Sequence, residues 1–288
     1  MRMRATVAVV TGALALSALA VPASQASPSQ DDGPANHRYG FSAEQRTALP
    51  KANQRSLAAK AATLPVLTKI VVNGGKPIAV GTTNSKKVTI SVTATDDSGI
   101  DGLSTILWRG KSPEDATNAF YQNEEFATCR AASATTSTCT LSVTIFPEQL
   151  FNEDATTWKV GAWVTSPDGE DTKKDAFGSV KFQRQSQLTV NAAPEPVKKG
   201  KTVTVTGKLA RANWDTGKYA GYSTQPVKLQ FRKKTATTYT TVKTVKTSTT
   251  GTLKTTTKAT VDGYYRWSFA GTSTTPAINA TGDFVDVK

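Results

Sequence analysis

Beyond Leu64 the chain places an apolar residue at every second position through most of its length. Val88, Ile90, Val92 and Ala94 alternate with polar neighbours, and so do Leu141, Val143 and Ile145. Trp158, Val160, Ala162 and Val164 repeat the pattern, and Val180 with Phe182 begins another run. A period of two puts alternate side chains on opposite faces of a strand, one toward a core and one toward water. Turn-forming clusters such as NGGKP and SPDGED close the runs, as antiparallel strands require. Helical periodicity is confined to a single turn at PEQLFNED.

The alternation restarts after Ser186 in QLTVNA, KTVTVTGKL, QPVKLQFRK, TYTTVKTVK, LKTTTKA, GYYRWSFAG and DFVDVK. Seven short strands in about 100 residues match the content of an immunoglobulin-like sandwich. Tyr265 lies two residues before Trp267, the spacing of a tyrosine corner before the core residue of the sixth strand. Trp158 stands in the same relation to Val160. Neither half has the inter-sheet cysteine pair of antibody domains; Val205 with Trp267, and Val92 with Val160, are expected in its place. The predicted fold is therefore all-β, two tandem Ig-like antiparallel β-sandwiches over residues 65–186 and 187–288.

The start of the chain is different material. Arg2 and Arg4 precede an apolar stretch from Ala5 to Ala20, and small residues flank cleavage points after Ala23 and Ala26. This is the layout of a secretory signal peptide, assigned to residues 1–26. The stretch is too short for a comfortable membrane span, and no second one of that length occurs. Residues 27–64 hold few branched apolar side chains and are expected to be a disordered tether. The expected location is secreted or extracellular, with cell-surface association compatible with it. Cys129 and Cys139 suit an oxidising exterior, where bridging them would contribute about 2.5–3 kcal/mol through loop closure.

Charge separates the two halves. Residues 65–186 carry 12 Lys/Arg against 14 Asp/Glu, whereas residues 187–288 carry 16 against 5, a net +11. A basic outer surface on an exported chain points to polyanions such as cell-wall polymers, although lysines on exposed strand faces also serve solubility and guard edges. The strand pattern shows no aromatics interleaved with that charge, so no sequence-specific nucleic-acid partner is expected. The only histidine, His37, lies in the tether, which excludes a Ser-His-Asp or Cys-His arrangement in either sandwich. Two cysteines cannot supply a tetrahedral zinc site, and no GxxxxGK[ST] loop occurs. The acids of the first sandwich cluster in turns, and the chain is read as a non-enzyme.

Calcium is the better chemical hypothesis. If KKVTISVTAT and WKVGAWVTS are the second and sixth strands, the loops after them meet at one pole. DDSGIDG and PDGED would then bring Asp96, Asp97, Asp101, Asp168, Glu170 and Asp171 together as oxygen ligands for Ca2+. The same residues are also ordinary turn formers, and the spacing is not that of an EF-hand loop. In the second sandwich the long segment ARANWDTGKYAGYSTQ carries Trp214, Tyr219 and Tyr222 among cations, a set suited to stacking on sugar rings. Folding of Trp214 and one tyrosine back over the end of the core is the alternative.

The stretches VKKGKTVTVTGKL, NWDTGKYAGY and YRWSFAGT resemble the C-terminal Ig-like module of secreted streptomycete proteins, which are often labelled hypothetical or calcium-binding. The resemblance covers about the last third of the chain and implies actinobacterial secretion, with no reaction and no ligand residues. The expected role is non-catalytic binding or adhesion at the cell envelope or extracellular matrix. The expected partner is a polyanionic cell-wall polymer or glycan, or another extracellular protein. Alternatives are a secreted protease inhibitor acting through CRAASATTSTC, and an accessory module of a polysaccharide-degrading system.

Overall fold

The computed structural model describes residues 62–288. The expected leader, most of the expected tether and His37 lie outside the described residues. Nine strands build the first sandwich: β1 (Val66–Val72), β2 (Ile78–Val80), β3 (Lys86–Thr95), β4 (Gly102–Gly110), β5 (Ala116–Tyr121), β6 (Thr128–Ala131), β7 (Thr136–Ile145), β8 (Thr157–Thr165) and β9 (Asp171–Arg184). They form two sheets, ordered β1-β3-β7-β6 and β2-β9-β8-β4-β5. The chain changes sheet between β1 and β2, so β1 runs antiparallel to β3 while β2 runs parallel to β9. Asn73, Gly74 and Gly75 make that crossing with three successive positive φ angles of 51°, 62° and 78°, a path open chiefly to glycine and asparagine. A first strand shared between the sheets and Greek-key pairing of the others define an immunoglobulin-like sandwich.

The core of this sandwich is an aromatic stack. Trp158 lies 4.3 Å from Phe182 and 5.5 Å from Phe120 between ring centroids. Its indole N–H donates to the carbonyl of Asp154 at 2.9 Å, four residues upstream. A tryptophan therefore does here what the phenol does in a tyrosine corner. PEQLFNED forms two 3-10 turns, Pro147–Gln149 and Asn152–Asp154, in place of an α-helical turn. The second turn is fixed by the fully buried Asp154 carboxylate. It accepts hydrogen bonds from Phe151 N–H at 2.9 Å and Asn118 Nδ2 at 3.0 Å. Arg109 Nε lies 2.8 Å from its other oxygen, an ion pair not aligned as a hydrogen bond.

Ten strands follow in the second sandwich: β10 (Ser186–Leu188), β11 (Asn191–Ala193), β12 (Thr202–Asn213), β13 (Lys218–Gly221), β14 (Pro226–Lys233), β15 (Thr240–Lys246), β16 (Thr252–Lys258), β17 (Gly263–Phe269), β18 (Ile278–Asn279) and β19 (Asp283–Val285). One sheet sets β10, β11, β13 and β16 around the long β12; the other runs β15-β14-β17 with β18 and β19 on the far edge of β17. These two five-stranded sheets, antiparallel in their pairing, again make an Ig-like sandwich. Trp267 fills the centre, with its indole N–H donating to Thr206 O at 2.9 Å. Gly207 allows that approach, since a Cβ there would meet the indole at 2.6 Å. Tyr265 is buried and packs on Phe231 at 4.8 Å.

Only Gln185 separates β9 from β10, and the two sandwiches share a packed junction. Ala212 and Trp214 belong to the hydrophobic core of the first sandwich, although Ala212 lies within β12 of the second and Trp214 directly follows it. Asn152 uses most of its polar groups on this segment. Its backbone N–H donates to Asp215 at 2.9 Å, its Nδ2 to Asn213 at 2.7 Å and to Asp215, and its Oδ1 accepts from Trp214 N–H at 3.0 Å. Arg184, also buried, donates from Nε to Ala212 O at 2.5 Å. Burial, and then the neighbouring Arg211, pull its guanidinium down to about 10.

Candidate functional site

Strands β3 and β8 deliver the two acidic turns to the same pole of the first sandwich. Asp96 directly follows β3, and its Oδ1 accepts from Ser98 N–H at 2.8 Å and Ser98 Oγ at 2.6 Å, the geometry of an Asx turn. Thr63, just before β1, donates its hydroxyl to Asp97 at 2.6 Å and lies 3.4 Å from the other oxygen of Asp96. In the turn between β8 and β9, Asp168 accepts from Ser166 Oγ at 2.7 Å and Glu170 N–H at 3.2 Å. Carboxylate oxygens of Asp96, Asp97 and Asp168 come within 4.8 Å of one another, and Asp96 is only 5% exposed.

The other three acids take different parts. Asp101 accepts from Thr165 Oγ1 at 2.8 Å. Burial above all, and then the like charges of Asp168 and Asp96, push its carboxyl above the usual range. A carboxyl raised in this way holds its proton longer in the folded chain than in the unfolded one. It therefore costs stability at neutral pH, and that cost fades as pH falls through its folded pKa. Glu170 closes the turn with its backbone, its carbonyl accepting from Ser166 N–H at 3.0 Å. Asp171 opens β9 and takes the indole N–H of Trp163 at 2.6 Å. The expected six-carboxylate set is thus three converging acids, Asp101 in electrostatic range of two of them, and Glu170 and Asp171 outside the converging group. The converging set is all oxygen, the donor type of a hard cation such as Ca2+.

The three aromatics of the second sandwich do not come together as the open stacking surface expected of them. Trp214 is 5% exposed and donates from Nε1 to Gly81 O at 2.9 Å and Val80 O at 3.3 Å in the first sandwich. Tyr219 packs on the same core, with burial pushing its phenol up. Tyr222 sits under the Arg211 guanidinium at 3.8 Å and edge-on to Phe269 at 5.9 Å. A stacking platform needs open ring faces on one surface, and these three rings are spent on the junction and on the core. The segment expected to be a loop is largely a hairpin, β13 pairing back on β12 from Lys218 to Gly221.

Cys129 and Cys139 form the expected disulfide as direct cross-strand partners of β6 and β7. The intervening residues continue the ladder to a tight turn, where Ala132 N–H donates to Thr136 O at 2.8 Å. The turn leans on the acidic pole, with Asp96 N–H donating to Thr135 O at 2.8 Å.

One cluster escaped the strand pattern. On the outer face of β14, β17 and β19, Arg232 lies 3.9 Å from the Tyr264 ring centre and Arg266 lies 3.8 Å from that of Tyr239. Arg232 also approaches Tyr239 at 5.3 Å, and Tyr264 packs on Phe284 at 5.1 Å. Register makes the cluster: Arg232 pairs with Tyr264, Gln230 with Arg266, and Tyr264 with Phe284.

Residues 77–164 match the model of DUF5707, described as a family of unknown function. No curated protein matches the chain. Among solved structures, the D00-D0 domain of intimin is similar at 16% identity and a TM-score of 0.26, covering 75% of this chain and 99% of that one. The three N-terminal domains of the bacteriophage RB49 outer capsid protein Hoc are similar at 10% identity and a TM-score of 0.31, covering 78% and 70%. The full ectodomain of mouse nectin-like molecule 4 is similar at 12% identity and a TM-score of 0.24, covering 77% and 64%. The first sandwich is thus the part of the chain similar to DUF5707, and the second lies outside that match.

Proposed function

We propose that this chain is an exported, non-catalytic binding protein of the cell envelope or extracellular matrix. Its second sandwich holds polyanionic polymers. The observation that carries this reading is the concentration of charge, net +11 over residues 187–288 beside a net −2 over residues 65–186. Such a field draws anionic polymers by counterion release, which makes retention steeply salt-dependent. The chain from Ser27 to Lys288 is expected to co-sediment with isolated anionic cell-wall polymer in about 50 mM salt and to be released by about 0.5 M salt. Equal recovery with a neutral glucan, or no pelleting at low salt, sinks the reading.

The acidic pole supports a second, separable part of the proposal. Asp96, Asp97 and Asp168 hold Ca2+, which relieves their mutual repulsion and ties the β3–β4 turn to the β8–β9 turn. Extracellular modules bind calcium at roughly 0.1–1 mM. Calorimetric titration of the same chain should show saturable heat in that range and a raised unfolding midpoint, both lost in Asp96→Asn/Asp168→Asn. Heat that survives the double substitution would place calcium elsewhere, and no heat at millimolar calcium removes the site.

A further inference from the structure

The Arg–Tyr cluster on the second sandwich has the chemistry of a built binding face. β17 buries Tyr265, Trp267 and Phe269 and turns Tyr264, Arg266 and Ser268 outward. On the neighbouring β14, Val227 and Leu229 point into the core, while Gln230 and Arg232 lie beside Arg266 and Tyr264. This one face holds Arg232 against the rings of Tyr264 and Tyr239, Arg266 against Tyr239, and Lys234 over Phe284 at 5.3 Å.

The cluster is held in place. Arg232 donates from Nη1 to Ala236 O at 2.9 Å, and Arg266 donates from Nε to Gln230 Oε1 at 2.8 Å. Tyr239 lies over Gly282, where a Cβ would collide with the ring hydroxyl. Among the described residues no carboxylate pairs with Arg232 or Arg266, whereas Lys234 has Asp262 at 3.9 Å. Each guanidinium carries five N–H donors in a rigid fork. The hydrogen bonds above engage one donor on each, so two oriented, unneutralised forks remain on one sheet face.

From this arrangement we infer that the outer face of β14, β17 and β19 is a binding site for an acidic polysaccharide, with Arg232 and Arg266 taking its oxyanions bidentately. The inference rests on the polyanion reading above and names the surface and ligand class. Fork geometry matches carboxylate and phosphate oxygens better than a point charge does. Gln230, Ser268 and the tyrosine hydroxyls supply neutral partners for sugar hydroxyls. Base stacking by single-stranded nucleic acid uses open ring faces, and here Tyr264 and Tyr239 each carry a guanidinium against one face, which favours the polysaccharide.

The test uses polygalacturonate as probe against the chain from Ser27 to Lys288, read by calorimetry at low salt. A dT oligonucleotide of equal charge serves as the second probe. Arg232→Gln/Arg266→Gln should weaken polygalacturonate binding by about tenfold or more and flatten its salt dependence. Lys254→Gln/Lys258→Gln removes the same charge from exposed positions on β16, in the opposite sheet, and should weaken binding by less than about threefold. Arg232→Lys/Arg266→Lys keeps the charge and should still lose about fivefold, because an ammonium has no fork. Equal losses in the two glutamine pairs would show charge without a site and overturn this inference alone. Tighter binding of the oligonucleotide than of polygalacturonate overturns it in favour of nucleic acid. If the unaltered chain binds neither this probe nor wall polymer, the inference and the proposed function fall together.

Discussion

Trp158→Ala is expected to lower the stability of the first sandwich by about 3–5 kcal/mol, the range for truncating a large aromatic in a packed core. Three losses coincide at this site. The stack with Phe182 at 4.3 Å and Phe120 at 5.5 Å disappears. The indole N–H no longer reaches Asp154 O, which is left with the Thr156 N–H at 2.8 Å as its remaining donor. The cavity lies between two rigid sheets that cannot collapse to fill it. Trp158→Phe separates these contributions, because it retains a ring and loses the hydrogen bond, and should cost about 1–2 kcal/mol. Urea unfolding followed by fluorescence and circular dichroism measures both. A cost below about 1 kcal/mol for the alanine variant would mean that the tryptophan corner does not organise this core.

Trp214→Ala should act on the relation between the sandwiches more than on either one. Its ring leaves the second sandwich to complete the core of the first, and its N–H bonds two carbonyls there. Removing it forfeits about 3 kcal/mol or more of buried contact while leaving Trp267 and its neighbours untouched. Scanning calorimetry should show a single coupled transition in the parent chain and two resolved transitions in the variant, the first sandwich melting earlier. Asn152→Ala should move the same readout in the same direction by a smaller amount. A variant that still melts in one transition would show that the junction transmits stability through β9 and β10 alone.

How much of this was legible in the sequence depended on which faces a strand covers. β3, β7 and β8 stood out because one face is buried and the other wet, which leaves a period of two. β4 did not, since Ser104, Thr105, Ile106, Leu107 and Trp108 are buried in succession. Both of its faces are covered, and Lys159 lies over Trp108 at 4.3 Å, so no alternation survives to be read. The meeting of Asp96 and Asp97 with Asp168 followed from strand order, because loops after the second and sixth strands share a pole. The direction of Asp171 did not follow, since it depends on where β9 begins relative to Gly169. Trp214 was misread because the surface that buries it belongs to the other sandwich, more than 130 positions away in the chain. The Arg–Tyr face was hidden for a related reason: Arg232, Tyr264, Arg266 and Phe284 come from separate strands and meet through ladder register, and Tyr239 joins them from the connection between β14 and β15.

The disulfide sits at a position with its own consequence. β6 is a four-residue strand at the outer edge of its sheet, bonded only to β7. Such a short strand is readily lost by fraying, and losing it would bare the N–H and C=O groups of β7 as a template for another chain. Cys129 and Cys139 rivet the two strands at a directly opposed pair. The bond therefore guards solubility as well as adding stability: it keeps Ser137–Thr140 of β7 from becoming a free edge.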